Sequence, residues 1–117
     1  MQSFTPGPFD HERLEAFAVA REALRLGDRV TRAIPRGYGT LADQTRRALL
    51  SAYLQTAEAA SRTGADRRAR LRCARAEAGE AAAALEAAAL LGLADPERVR
   101  EARDLLARLC AMLKKLA

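Results

Sequence analysis

The chain has 117 residues, of which 50% are apolar and 30% charged, and 20 lysines and arginines against 15 aspartates and glutamates give a net charge of +5. This length suits one domain, and the apolar content excludes disorder as the default state. Alanine, leucine and arginine dominate, with 4 prolines and 7 glycines, a composition that favours helices. One histidine and 2 cysteines offer little for catalysis. The composition therefore indicates a binding protein and not an enzyme.

The cysteines and the hydropathy pattern bear on the compartment. Cys73 and Cys110 are too few to staple a secreted mini-domain, so we expect them to be reduced and buried as small hydrophobic residues. No apolar run approaches the ~18 residues needed to span a bilayer, and no charged-then-apolar leader opens the chain. His11 and the cysteines match no metal-ligand spacing. We expect a cytoplasmic protein with no membrane contact, cofactor, metal or small-molecule substrate.

The first half of the chain predicts an arm and two helices. Residues 1–9 carry two prolines and no hydrophobic period, which favours a flexible arm. Asp10 can cap a helix over about 10–33, which stops before Pro35 because the residue preceding a proline avoids the helical region. Thr40 can cap a second helix over about 41–62, and Thr63-Gly64 then breaks the chain.

The second helix has two apolar sides. One stripe contains Thr45, Ala48, Ala52 and Thr56, and roughly opposite lie Leu50, Leu54 and Ala57. Because a helix in a monomeric bundle needs only one apolar stripe, the second side requires another cover. The pattern predicts self-association through Leu50, Leu54 and Ala57.

The second half of the chain predicts two more helices. A seam of mostly small residues runs through about 66–92 and ends at Gly92. Asp95 as cap and Pro96 at the first helical position begin the last helix, about 96–116. Four helices joined by short connections must run up and down. The predicted fold is all-α: an antiparallel four-helix bundle over residues 10–117, which assembles as a homo-oligomeric ring.

The sharpest charge feature is a run of arginines. Within residues 62–75 one aspartate opposes six arginines, so this segment alone carries +5 and the remaining residues sum to zero. Such a patch attracts phosphates through counterion release, and a ring would repeat it in every copy. The alternative is a helix face paired with acids of a neighbouring subunit. The arginines of the run are Arg62, Arg67, Arg68, Arg70, Arg72 and Arg75.

Two smaller features accompany this run. Arg46 and Arg47 form a second basic site on the second helix. Glu58 can pair with Arg75 on the next, antiparallel helix, and its alternative role as an acid-base residue lacks a second carboxylate or a metal ligand at helical spacing. Tyr38 and Tyr53 are too few for a base-stacking platform, so any recognition of nucleic acid should read backbone and shape.

Six short segments together carry a resemblance to a known family. They lie at residues 9–14, 34–35, 44–48, 57–58, 74–75 and 91–93. In order and spacing they resemble the bacterial four-helix-bundle proteins called ribosomal-RNA intervening-sequence proteins, which include the accessory variability determinant of diversity-generating retroelements. The resemblance implies an up-and-down bundle that forms a ring, often a pentamer, with no enzymatic activity. For retroelement members it implies binding of structured RNA and DNA and contact with a reverse transcriptase.

Overall fold

The computed structural model describes residues 7–117, and within that range it contains four α-helices and no β-strand. The predicted arm at residues 1–9 lies mostly outside the described residues. Two short 3-10 turns, Asp10–Arg13 and Arg36–Tyr38, precede the first two helices. The α-helices are α1 Glu15–Arg32, α2 Gly39–Ala60, α3 Gly64–Leu90 and α4 Pro96–Leu116.

The helix ends follow local chemistry. The Asp95 carboxylate accepts a hydrogen bond from the Glu97 backbone N–H at 3.1 Å, which confirms the predicted cap of α4. Gly64 and Gly92 have φ of +58° and +73°, a backbone conformation that glycine adopts without steric cost. Gly92 follows α3 in a Schellman-type turn, in which the Leu93 N–H donates to the Ala88 carbonyl at 2.8 Å.

The predicted start of the first helix at Asp10 is wrong. Residues 10–13 form a 3-10 turn, and Leu14 is extended before α1 begins at Glu15. The Glu12 carboxylate folds back and accepts a hydrogen bond from the Phe9 N–H at 3.1 Å. That bond, with the stacking of Phe9 on His11, holds the turn. Thr40 likewise lies inside the first turn of α2 and does not cap it.

The helices form a square in which consecutive helices pack against each other and α1 closes against α4. Leu71, Leu85, Leu106, Leu109 and Leu113 are fully buried at the centre, among many alanines. Their small neighbours let the helices approach closely.

Three buried threonines and one glycine complete the core. The hydroxyls of Thr31, Thr45 and Thr56 each donate to the carbonyl four residues earlier at 2.7 Å, so their burial leaves none of these hydroxyls unpaired. A Cβ on Gly27 would lie 2.7 Å from the Leu49 methyl groups, so α1 and α2 meet here through glycine. Within residues 7–117, none of the helices contains the continuous apolar stretch that spanning a bilayer requires.

Candidate nucleic-acid interface

The predicted arginine run lies at the turn between α2 and α3 and along the first half of α3. Three arginines of the run contact other groups of the same chain. Arg62 pairs with Asp66 at 2.9 Å, and Arg67 donates to the Ala59 carbonyl at 3.3 Å. Arg70 bonds the Gln55 amide oxygen at 3.3 Å and lies 3.8 Å from Glu58. Arg67 and Arg70 fasten the start of α3 to the end of α2, and Arg62 joins the turn between them to α3.

The other three members, Arg68, Arg72 and Arg75, have no acid beside them. No carboxylate of the described residues lies within 4.0 Å of their guanidinium groups. Arg68 and Arg72 are exposed and Arg75 is half-buried. Their spacing of four and then three residues places them on one face of α3. We call this face the basic stripe, and it carries three uncompensated positive charges.

The basic stripe lies on the side of α3 that borders α4. The Cys110 thiol of α4 lies 3.8 Å from the Arg75 carbonyl, and Arg103 of α4 pairs with Glu86 of α3 at 3.1 Å. Since the two helices are antiparallel, α4 residues after Cys110 run beside the part of α3 before Arg75. Lys114, one helical turn after Cys110, therefore shares this surface.

Lys114 is a candidate residue that sequence reasoning missed. Lys114 lies near the end of α4, so the sequence alone is equally consistent with a cation that stabilises the negative end of the helix dipole. The signal that identifies it is the antiparallel register of α3 and α4, which sequence periodicity does not provide.

The start of α3 adds to the positive potential at this end of the bundle. Thr63 precedes the helix in an extended conformation, and its side chain makes no capping hydrogen bond. The backbone N–H groups of the first turn carry the positive end of the helix dipole, and the Asp66 carboxylate in that turn offsets part of it. The remaining positive potential adds to that of the arginines.

The predicted pair between Glu58 and Arg75 is wrong, because Glu58 contacts Arg70 instead, at 3.8 Å. The reason is register: α2 ends at Ala60 and α3 starts at Gly64, so residues near Glu58 meet only the first turns of α3. Arg75 lies five residues, or about 7.5 Å of helix, beyond Arg70. The Arg75 side chain is left for another partner.

The second predicted basic site differs from the stripe. Arg46 lies 3.8 Å from Asp28 and 3.7 Å from Asp43, and Arg47 lies 3.6 Å from Glu80. Each arginine of this site has an acid nearby, and the structure does not join the site to the basic stripe.

Two of the three predicted contact residues of α2 are exposed on the single chain. Leu50 and Leu54 are 46% and 50% exposed, whereas Ala48 and Ala52 on the opposite side are buried. Ala57 is half-buried. The second apolar side of α2 is thus uncovered in a single chain.

Three aromatic residues of the described part of the chain form a cluster with His11, which sequence reasoning also missed. Phe9 stacks on His11, with ring centroids 5.7 Å apart, and His11 meets Phe17 edge-on at 4.6 Å. Tyr53 of α2 packs on Phe17 at 5.0 Å. The cluster attaches the first 3-10 turn to α1 and α2, and Tyr38 lies exposed at the other end of the bundle.

The cysteines depart from expectation in one respect. Both are free thiols, but Cys73 is exposed, so the prediction that it is buried is wrong. It lies on the outer side of α3, and Leu71 and Ala74 occupy the core positions around it. Cys110 is half-buried, and desolvation by burial raises the pKa of its thiol, an effect that nearby Arg75 partly offsets.

The described residues contain no cluster of three or more histidine, cysteine, aspartate or glutamate side chains placed to hold a metal ion. The basic stripe and Lys114 instead form a row of cations on two adjacent helices, which suits the binding of an extended polyanion.

No protein-family model matches the chain, and no curated protein matches it.

Proposed function

We propose that this protein is a non-catalytic basic adaptor that binds structured RNA or an RNA/DNA hybrid through the basic stripe and Lys114. The supporting observation is the division of the arginine run: three arginines contact groups of the chain itself at the junction of α2 and α3, and the other three have no acid of the described chain within 4.0 Å. Free guanidinium groups on a rigid helix suit contact with phosphate oxygens.

Self-association is the second element of the proposal. Leu50 and Leu54 are uncovered on a single chain, and a homo-oligomeric ring, a pentamer as the resemblance implies, would cover them. In a ring each copy presents its own basic stripe. Contacts made by several copies with one nucleic acid then raise the overall affinity above that of any single copy.

Recognition in this proposal reads backbone and shape. Tyr53 packs inside the aromatic cluster, and Tyr38 lies at the end of the bundle away from the start of α3. The stripe thus has cations without a neighbouring stacking platform, and such contacts fix position on a nucleic acid without reading its sequence.

A substitution series tests the proposal on an RNA hairpin. We expect the triple change Arg68→Gln, Arg72→Gln and Arg75→Gln to weaken binding and to flatten the dependence of log K on log salt. The slope should change by about 2.7 for each bound chain, at about 0.9 for every phosphate that is no longer neutralised. All three side chains lie outside the core, so the helical circular dichroism should be unchanged.

The matched control removes three arginines that have acid partners. Arg98 lies 3.8 Å from Asp95, Arg100 2.7 Å from Glu97 and Arg103 3.1 Å from Glu86. Changing these three to glutamine alters the net charge by the same amount and should flatten the slope much less. Equal losses in both triples, or no loss in the stripe triple, would contradict the proposal.

A homo-oligomeric scaffold that binds no nucleic acid is the second candidate function, favoured by the exposed Leu50 and Leu54. In that case the arginines of the stripe serve contacts between copies. The same series decides: the stripe triple would then change the mass of the assembly in solution, and the wild type would not bind the hairpin.

Docking of a reverse transcriptase rests on the family resemblance alone. Its test is the genomic neighbourhood of the coding sequence. A reverse-transcriptase gene with a template repeat beside it supports the proposal, and the absence of both contradicts it.

A further inference from the structure

A shallow cavity of about 340 Å³ lies between the start of α1 and the last turns of α4. Its floor is apolar: half-buried Leu14 and buried Ala16 line it from the α1 side, and half-buried Met112 and Leu116 line it from α4. This volume is within the range of small-molecule sites, about 300–1,000 Å³. At about 30 Å³ for each water-sized group, the cavity has room for about eleven such groups.

The cavity exists because of the way the chain enters α1. The 3-10 turn Asp10–Arg13 packs against α2 and α1, and the chain is extended before α1 begins at Glu15. Leu26 of α1 lies beside Glu101 of α4. Leu116 is fifteen residues after Glu101, whereas α1 extends only eleven residues before Leu26. The end of the antiparallel α4 therefore reaches past the start of α1, and its apolar side chains there are incompletely covered.

Three exposed charged residues form the rim of this cavity: Arg13, Glu15 and Lys115. No carboxylate of the described residues lies within 4.0 Å of the Arg13 guanidinium or of the Lys115 ammonium group. Glu15 is thus paired with neither cation, and two positive charges against one negative charge leave the rim with a net charge of +1.

We propose that this cavity binds a medium-chain fatty carboxylate, with the alkyl chain on the floor and the carboxylate between Arg13 and Lys115. Charge complementarity selects the head group: a net charge of +1 suits a monoanion, and a guanidinium group forms paired N–H···O bonds with a carboxylate. The apolar floor selects the tail, because the alkyl chain leaves water when it binds. The site lies on the α1 side of α4 and does not depend on nucleic-acid binding on the α3 side.

The sequence gave no indication of such a ligand. The residues of the cavity come from the two ends of the chain, and the cavity depends on the 3-10 turn that replaces the predicted first turn of α1.

A titration with octanoate tests the proposal, with the methionine methyl signals followed by ¹H–¹³C NMR. The chain has 2 methionines, and the signal of Met112 on the floor is assigned by its loss in Met112→Leu. We expect octanoate to shift this signal in a saturable way at millimolar concentration. Hexanoate should bind more weakly, by up to about fourfold for each methylene group removed. Octyltrimethylammonium has a tail of the same length and the opposite charge, and we expect it to bind much more weakly than octanoate.

Substitutions at the rim test the charge complementarity. Arg13→Gln and Lys115→Gln should each weaken octanoate binding about two- to fivefold, the range for an exposed ion pair. Glu15→Gln should strengthen it by a similar factor, because a carboxylate that repels the ligand is removed. Lys114→Gln is the matched control: it makes the same change in charge one residue earlier, on the α3 side, and should leave octanoate binding unchanged. All four positions are exposed, and circular dichroism checks that each variant is folded.

A substitution on the floor separates the tail from the head group. Leu116→Ser keeps all three rim charges and should weaken octanoate more than it weakens acetate. Four outcomes would overturn the inference: no saturable shift of the Met112 methyl signal, equal affinity for octanoate and octyltrimethylammonium, equal affinity for octanoate and acetate, or equal effects of Lys114→Gln and Lys115→Gln. None of these measurements uses nucleic acid, so failure of the proposed function would leave their result unchanged.

Discussion

Replacing Lys114 tests the shared α3–α4 surface most closely. Lys114 lies one turn after Cys110, whose thiol is 3.8 Å from the Arg75 carbonyl, so it belongs beside the basic stripe. We expect Lys114→Gln to remove one phosphate contact per chain, which lowers the steepness of log K against log salt by about 0.9 and weakens binding about eightfold at 0.1 M salt. Fluorescence anisotropy with a labelled RNA hairpin, over a salt series, measures both quantities.

Lys115→Gln is the matched control, with the same chemistry and the same change in net charge. Lys115 is one residue further on, about 100° around the helix, and lines a shallow cavity with Arg13 and Met112 on the α1 side of α4. We expect this variant to bind with nearly the wild-type slope. Equal effects of the two substitutions would show that binding responds to net charge and not to a surface at α3 and α4, and that result would refute the reasoning.

Three further predictions concern the fold and the thiols. Gly27→Ala should lower the midpoint of thermal unfolding, because its Cβ would lie 2.7 Å from the methyl groups of buried Leu49 and overpacking costs about 1–3 kcal/mol, more than the roughly 0.5–1 kcal/mol that alanine gains over glycine within a helix; an unchanged or higher midpoint would contradict this close approach. Asp95→Ala should cost about 1 kcal/mol in denaturant unfolding through loss of the α4 cap, whereas Asp95→Asn should retain most of it. Iodoacetamide should alkylate exposed Cys73 well before Cys110 at mildly alkaline pH, since burial raises the pKa of the Cys110 thiol and leaves less thiolate; mass spectrometry showing faster reaction at Cys110 would oppose it.

The four helices could be predicted from the sequence because their ends depend on local chemistry. Pro35, the positive φ of Gly64 and Gly92, and the Asp95 cap each act within a few residues. The structure of residues 9–14 was harder to predict. Its 3-10 turn depends on Glu12 folding back to Phe9 and on rings that meet across three elements.

The candidate site was predictable in position and not in detail. The charge excess of residues 62–75 is visible in the sequence. Which arginines are free depends on acids and carbonyls of α2, and the register between α2 and α3 decides which of them are reached. Sequence spacing predicts Arg75 as the ion-pair partner of Glu58. The short turn after Ala60 instead brings Arg70 close to Glu58. Lys114 was identified as a candidate residue only from the packing of α3 against α4 in the structure.

The salt dependence of wild-type binding to an RNA hairpin tests the central claim most directly. Three arginines and Lys114 on one surface predict up to four phosphate contacts per chain, so log K should fall against log salt with a slope between about −2.7 and −3.6 for each bound chain. A slope shallower than about −1 per chain, or no binding at about 50 mM salt, would contradict the claim that this surface binds phosphates.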